Sequence, residues 1–223
     1  VVIWDGGNND MPFYKPDLWI TVADPLRPGH ELSYFPGEVN FRRADVILVN
    51  KANTAEASVV ADLVARAKCI NPTAEVICGS STVSIEDGDA LKGKRVVLIE
   101  DGPTLTHGEM PYGAGKVAAE KYGAVVVDPR PTAVGSIATC YEKFPHLGKL
   151  IPAMGYYGQQ IKDLEDSINA VDCDTVLIAT PLDLGRLINI TKPAVKATYE
   201  LEDMGDASLA TTVKTFLADK GLA

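Results

Sequence analysis

Three clusters of residues in this sequence have the types and spacing to handle a phosphate group and the charge around it. The first is Val1-Val2-Ile3-Trp4-Asp5-Gly6-Gly7-Asn8-Asn9-Asp10. Four apolar residues running into an aspartate predict a buried strand over 1–4, with Asp5 at its carboxyl end, where open parallel sheets bind ligands. A carboxylate in that position serves Mg²⁺, directly or through water. Gly6 and Gly7 let the backbone approach a phosphate closely, and Asn8, Asn9 and Asp10 add polar groups without bulk. The plain alternative is a strand followed by an Asx-rich turn.

The second cluster is Ala44-Asp-Val-Ile-Leu-Val-Asn50-Lys51-Ala52-Asn53-Thr54. A buried strand running into Asn-Lys-x-Asp is the base-recognition signature of GTPases. Here Asn50 and the Lys51 stem would pack on a purine, while Asn53 stands where the signature has Asp. Its carbonyl can accept a hydrogen bond but cannot supply the charged acceptor that guanine uses, so the base is left open between ATP and GTP. Between these two clusters, Ile20-Thr-Val-Ala-Asp24 is another strand ending in an aspartate. Arg27, His30, Arg42 and Arg43 follow it among Pro/Gly turns and are read as one loop region. Arginines clamp phosphate oxygens and His30 can move a proton near neutral pH, which makes Asp24, Arg27, His30 and Arg42 candidate catalytic residues. A solvated surface loop is the alternative.

The third cluster runs from Val97-Leu-Ile-Glu100-Asp101 through Thr104, Thr106, His107 and Gly108 to Gly113-Ala-Gly115-Lys116. A strand leads into a loop that opens a helix, whose first amides can hold an anion. It is not a Walker A loop, because Met110 stands at the first glycine and Val117 at the Mg²⁺-binding hydroxyl. The reading is a second anion site for substrate, with His107 its candidate catalytic residue, against an ordinary strand-to-helix turn. Asp128-Pro-Arg130-Pro-Thr132, Thr180-Pro-Leu-Asp183-Leu-Gly-Arg186 and His146 carry weaker signals.

These residues need elements to position them. Short β-branched runs predict strands at 1–4, 18–23, 45–49, 75–78, 95–100, 124–128, 175–179 and 194–200, and helices fit 54–69, 114–122, 134–143, 156–170, 183–188 and 206–220. The alternation predicts an α/β fold, a mainly parallel sheet with helices on both faces, P-loop NTPase-like. The polar, turn-rich stretch 81–93 divides a nucleotide-binding remainder, 1–90, from a carboxy-terminal α/β lobe, 91–223. No apolar run approaches the roughly 18 to 20 residues of a membrane helix, and the chain opens on a strand-like run rather than a signal peptide. The formal charge of −9 disfavours nucleic acid as a partner. The four cysteines are widely spaced, which argues against structural zinc and for reduced thiols in a cytoplasmic protein. A strand with no lead-in suggests that an amino-terminal part of the same protein lies upstream. A homo-oligomer is allowed.

Trp4-Asp-Gly-Gly-Asn-Asn-Asp10, Asp24-Pro-Leu-Arg-Pro-Gly-His-Glu31, Glu100-Asp-Gly-Pro-Thr-Leu-Thr-His-Gly108 and Asp128-Pro-Arg-Pro131 together resemble archaeal and bacterial proteins described as predicted GTPases or cyclic 2,3-diphosphoglycerate synthetases. That family is similar to the SIMIBI class of P-loop NTPases, and its members are about twice this length with a Walker A loop upstream. The resemblance implies ATP or GTP with Mg²⁺, and a small phosphorylated substrate such as 2,3-diphosphoglycerate, closed to a phosphoanhydride. By position it implies that Asp5 serves Mg²⁺, and that Asn50, Lys51 and Asn53 face the base. Two phosphates brought together need Arg27, Arg42 and Arg130 to offset their repulsion, so a positive crevice is expected at the strand ends. The other function class is a regulatory GTPase or metallochaperone-like switch whose loops report nucleotide state to a protein partner.

Overall fold

A computed structural model describes residues 1–7, 10–106, 108, 110–155 and 157–222. The chain divides into two compact units, Val1–Thr82 with Glu200–Ala223, and Val83–Tyr199. The division therefore differs from the expected join near residue 90, and the last segment belongs with the first unit. The misleading stretch is Ser81–Ile85, whose polar appearance hides Thr82, Val83 and Ile85 continuing a strand.

The first unit contains β1 (Ile20–Ala23), α1 (His30–Ser33), α2 (Gly37–Arg43), β2 (Val46–Val49), α3 (Ala57–Ile70) and the start of β3 (Glu75–Ile85). In the second unit follow β4 (Arg95–Asp101), α4 (Gly102–Thr106), α5 (Ala114–Lys121), β5 (Val125–Val126), α6 (Gly135–Lys143), β6 (Ile151–Ala153), α7 (Gly158–Ala170) and β7 (Thr175–Ala179). The strand β8 (Ala194–Met204) ends back in the first unit, which α8 (Leu209–Asp219) completes. None of the helices among the described residues is long and apolar enough to cross a membrane.

In the first unit β1, β2 and β3 lie side by side and parallel, with Ala23 level with Val49 and Val49 level with Cys78. The run Val46-Ile-Leu-Val49 is buried at every position, as a parallel strand covered on both faces must be. Ile47 and Val49 pack with Ala23, Phe41 of α2, and Leu63 and Ala67 of α3. Val46, Leu48 and Ile77 face the other way, against Leu18, Ala207 and Leu209.

In the second unit the order is β8-β7-β4-β5, with β6 also pairing β4, and every pairing is parallel. Val97, Ile99 and Val176 pack on Ile137 of α6 and Leu164 and Ile168 of α7. On the other face α5 packs on β4 and β7. Both units are thus α/β, with mainly parallel strands between helices. From β4 the chain moves out to β5 and β6 on one side and then crosses to β7 and β8 on the other. The carboxyl ends of β4 and β7 are therefore a topological switch point.

The expected strand over 1–4 is not there. Residues 1–7 have no regular structure, and Val1, Val2 and Ile3 are 89%, 89% and 87% exposed. Apolar composition alone cannot make a strand; it needs a neighbouring edge, and this stretch has none among the described residues. Missed in the sequence were α1, α2, α4 and β6. The first three are too short for a helical period to show, and β6 carries Pro152, which only an edge position tolerates.

Candidate functional site

The carboxyl ends of β1 and β2 bring together the best-formed polar cluster of the first unit. Asp24 follows β1 and Lys51 follows β2; Asn50 N–H donates to Ala23 O at 3.0 Å and fixes the two strand ends together. Lys51 Nζ reaches Asp24 Oδ2 at 2.9 Å, and Arg27 Nη2 reaches the same oxygen at 3.1 Å. One carboxylate therefore faces two cations, leaving a net positive charge at the strand ends. Burial opposes ionisation of Asp24, but the Lys51 hydrogen bond and charge, the Leu26 N–H and the Arg27 charge outweigh it and hold its carboxyl below the usual range. The turn between these groups is fixed from within. Asp24 Oδ1 accepts from Leu26 N–H at 3.0 Å, and Glu31 Oε2 accepts from Gly29 N–H at 2.9 Å. Glu31, only 5% exposed in its side chain, is also paired with Arg66 of α3.

Lys51 itself has a left-handed backbone, φ 60°. For a residue with a Cβ that conformation costs of order 1 kcal/mol and persists only where surroundings enforce it. Here Asn50 Oδ1 accepts the Lys51 N–H at 2.9 Å, and Ala52 N–H reaches Gly79 O at 3.0 Å. Asn53 Oδ1 accepts from Ser81 N–H at 3.1 Å. The carboxamide oxygens expected to face a base are thus spent on shaping the loop that carries Lys51.

Other expected members lie elsewhere. Arg42 is in a helix rather than a loop, paired with Glu38 at 2.8 Å and half exposed. Asn71, shortly before β3 begins, donates to Phe41 O and Ala44 O, which puts the end of α2 at the amino ends of the strands. Arg42 is therefore at the opposite end from Asp24 and Lys51. Asp5, Gly6 and Gly7 lie in the exposed leading stretch, where Gly7 N–H is turned onto Asp10 Oδ2 at 3.0 Å. The strand end that was to aim Asp5 is absent. His30 is exposed and stacks edge-on against Tyr34 at 5.0 Å. His107, like Asn8 and Asn9, lies outside the described residues.

The second unit has an anion-binding arrangement, and a side chain of the chain itself fills it. Glu100, 1% exposed at the end of β4, accepts backbone N–H groups from Gly113 (3.2 Å), Gly115 (3.1 Å) and Lys116 (2.9 Å) at the start of α5. A Cβ on Gly113 would stand 2.5 Å from Glu100 Oε2, and one on Gly115 would meet Glu100 Oε1 and the Ala179 methyl at 3.0 Å. The glycines that read as a phosphate cradle make room for this carboxylate, so the expected substrate-anion site is occupied from within. Asp163, from α7, similarly accepts Ser136 N–H at the start of α6 at 2.8 Å. Burial raises the Glu100 carboxyl above the ordinary carboxylate range; the three amides only partly offset it. Sequence reasoning missed this role, although a Glu at a strand end ahead of Gly-x-Gly signals it. His146 Nε2 lies 2.9 Å from Leu105 O, Asp128 pairs with Arg130, and Asp183 pairs with Arg186 at 2.9 Å.

This sequence is 55% identical, over 210 residues, to a protein of Thermococcus kodakarensis named arginine synthetase ArcE. The match covers 94% of this chain and 47% of that protein, so the chain spans about half the length of the curated relative it matches. No family model matches the sequence. The cluster around Lys51 and the filled cradle at Glu100 both lie within a chain that is matched nearly throughout.

Mg²⁺ was expected on Asp5. Among the described residues no group of three or more His, Cys, Asp or Glu is placed to hold a metal ion. Asp24, the carboxylate that is at a strand end, already faces two cations.

Proposed function

We propose that this chain is part of a nucleotide-dependent synthetase, and that Lys51 and Arg27, held on Asp24 at the ends of β1 and β2, receive an anionic group of a reactant. The observation that carries the reading is the 55% identity, over nearly the whole chain, to a protein named as a synthetase. The geometry supports a place for the chemistry. A flexible ammonium and a guanidinium share one carboxylate, so a phosphate or carboxylate arriving there exchanges an internal partner for a better one without moving the backbone. Asp24 keeps both cations aimed until that exchange. Asn50 positions Lys51 by fixing its left-handed turn, and Glu31 with Arg66 holds the loop that presents Arg27.

Arginine, from the relative's name, is the product to test first. Forming a guanidino group from a ureido group and an amine requires an activated oxygen as leaving group, which cleavage of a nucleoside triphosphate supplies. The longer protein is to be incubated with ATP or GTP, Mg²⁺, a ureido amino acid and ammonia, and both arginine and released phosphate followed. A parallel incubation with 2,3-diphosphoglycerate tests the small phosphorylated substrate that the motifs suggest. Substrate-dependent nucleotide cleavage in either incubation supports a synthetase and names its substrate; no turnover in either removes the proposal.

A further inference from the structure

We propose that the outer edge of β1 is a docking edge for a further parallel strand, contributed by the part of a longer protein that lies outside this chain. The proposal is independent of the reaction catalysed. Among the described residues β1 ends the strand order, with β2 on one side only. Trp19 O accepts from Val46 N–H at 3.1 Å and Ala23 O accepts from Asn50 N–H at 3.0 Å. Backbone groups alternate sides along a strand, so Trp19, Thr21 and Ala23 face β2, and Ile20 and Val22 turn their N–H and C=O to the outer edge. Their side chains are uncovered too, Val22 at 61% and Ile20 at 38%.

Natural edge strands are protected by charge, proline, bulges or a covering element. The segment Ile20-Thr-Val-Ala23 is short, at four residues, but among the described residues it has none of these, and its composition is that of an interior strand of a parallel sheet, where both edges are paired and both faces are covered. The stretch leading into it is equally unprotected, with Phe13 84% and Tyr14 78% exposed. The matched relative supplies the occupant: more than half of that protein lies beyond the segment aligned here. A second copy of this chain fits less well, because a two-fold axis would set β1 antiparallel to itself beside strands that are parallel to one another.

Hydrogen exchange on the 223-residue chain and on the longer protein tests the docking edge. The expected result is that the peptide spanning residues 18–24 exchanges about tenfold or more slowly in the longer protein, as newly paired Ile20 and Val22 amides require. Val22→Pro removes an outward N–H and no β1–β2 hydrogen bond. It should leave the melting temperature of the 223-residue chain unchanged within about 1 °C and lower that of the longer protein by about 2–4 °C. Equal exchange of the peptide in both proteins would overturn the proposal. So would a stable dimer of the 223-residue chain that Val22→Pro dissociates, because the edge would then belong to a second copy.

Discussion

At Lys51 backbone and side chain make opposite demands. The loop needs φ near 60°, which glycine adopts without strain, whereas the Asp24 carboxylate needs an ammonium. Lys51→Gly separates the two. Relief of the left-handed turn then offsets the lost ion pair with Asp24, so the stability should change by no more than about 1 kcal/mol, while the proposed synthetase turnover of the longer protein falls about 100-fold or more. Thermal unfolding and initial rates check each half. The two unusual carboxylates titrate in opposite senses. Asp24 is held low, so the stability it adds is complete above its unfolded value, near 3.9, and is lost as the pH falls through its lower folded value. Asp24→Asn should flatten the acid limb of the stability curve below about pH 4. Glu100 is held high by burial, so its contribution is complete below its unfolded value, near 4.3, and is lost as the pH rises through its higher folded value. Glu100→Gln should therefore be less stable overall, having lost an acceptor for amides, yet less sensitive to alkalinisation above about pH 4.3 in urea titrations at stepped pH. An unchanged slope would mean that Glu100 titrates normally.

At the scale of elements, the start of α5 shows how closely a strand end and a helix can be joined by one carboxylate. Gly113→Ala would drive a methyl to 2.5 Å from Glu100 Oε2, whose carboxylate can yield only by giving up the amides of Gly113, Gly115 and Lys116. The expected cost is about 1–3 kcal/mol in denaturant unfolding, and a second change, Glu100→Ala, should recover part of it. Additive losses would show that the two do not meet. The same join explains why the third cluster was half legible in the sequence. The strand, the glycine-rich turn and the helix were plain from their composition, but an anion cradle reads the same whether a ligand or Glu100 fills it. In the first cluster the residue types of Asp5-Gly6-Gly7 were plain and their setting was not, because a strand exists only where another strand's edge meets it. Asp24 and Lys51 were placed at strand ends because β1 and β2 are short, apolar and β-branched, so parity and length fix where each strand stops. Arg42 was misplaced because the seven residues of α2 are too few for a helical period to show among turn-forming neighbours.

For the whole molecule, the two units differ in how they are written into the chain. The second is one unbroken stretch, Val83–Tyr199, whereas the first needs both Val1–Thr82 and Glu200–Ala223. Leu209 of the closing segment covers Val46, Leu48 and Ile77, and Leu201 lies against Gly79. Truncation after Tyr199 should therefore strip one face of the β2–β3 sheet and leave the first unit open to protease, while a fragment close to 83–199 survives. Limited proteolysis read by mass spectrometry checks this, and equal resistance of both units would count against it. The divided writing also sets an order of events on the ribosome. The unit begun first cannot close until the final helix has left the exit tunnel, so the inserted one is complete while its host is still waiting. During that interval the uncovered Val46, Leu48 and Ile77 are what a chaperone would meet.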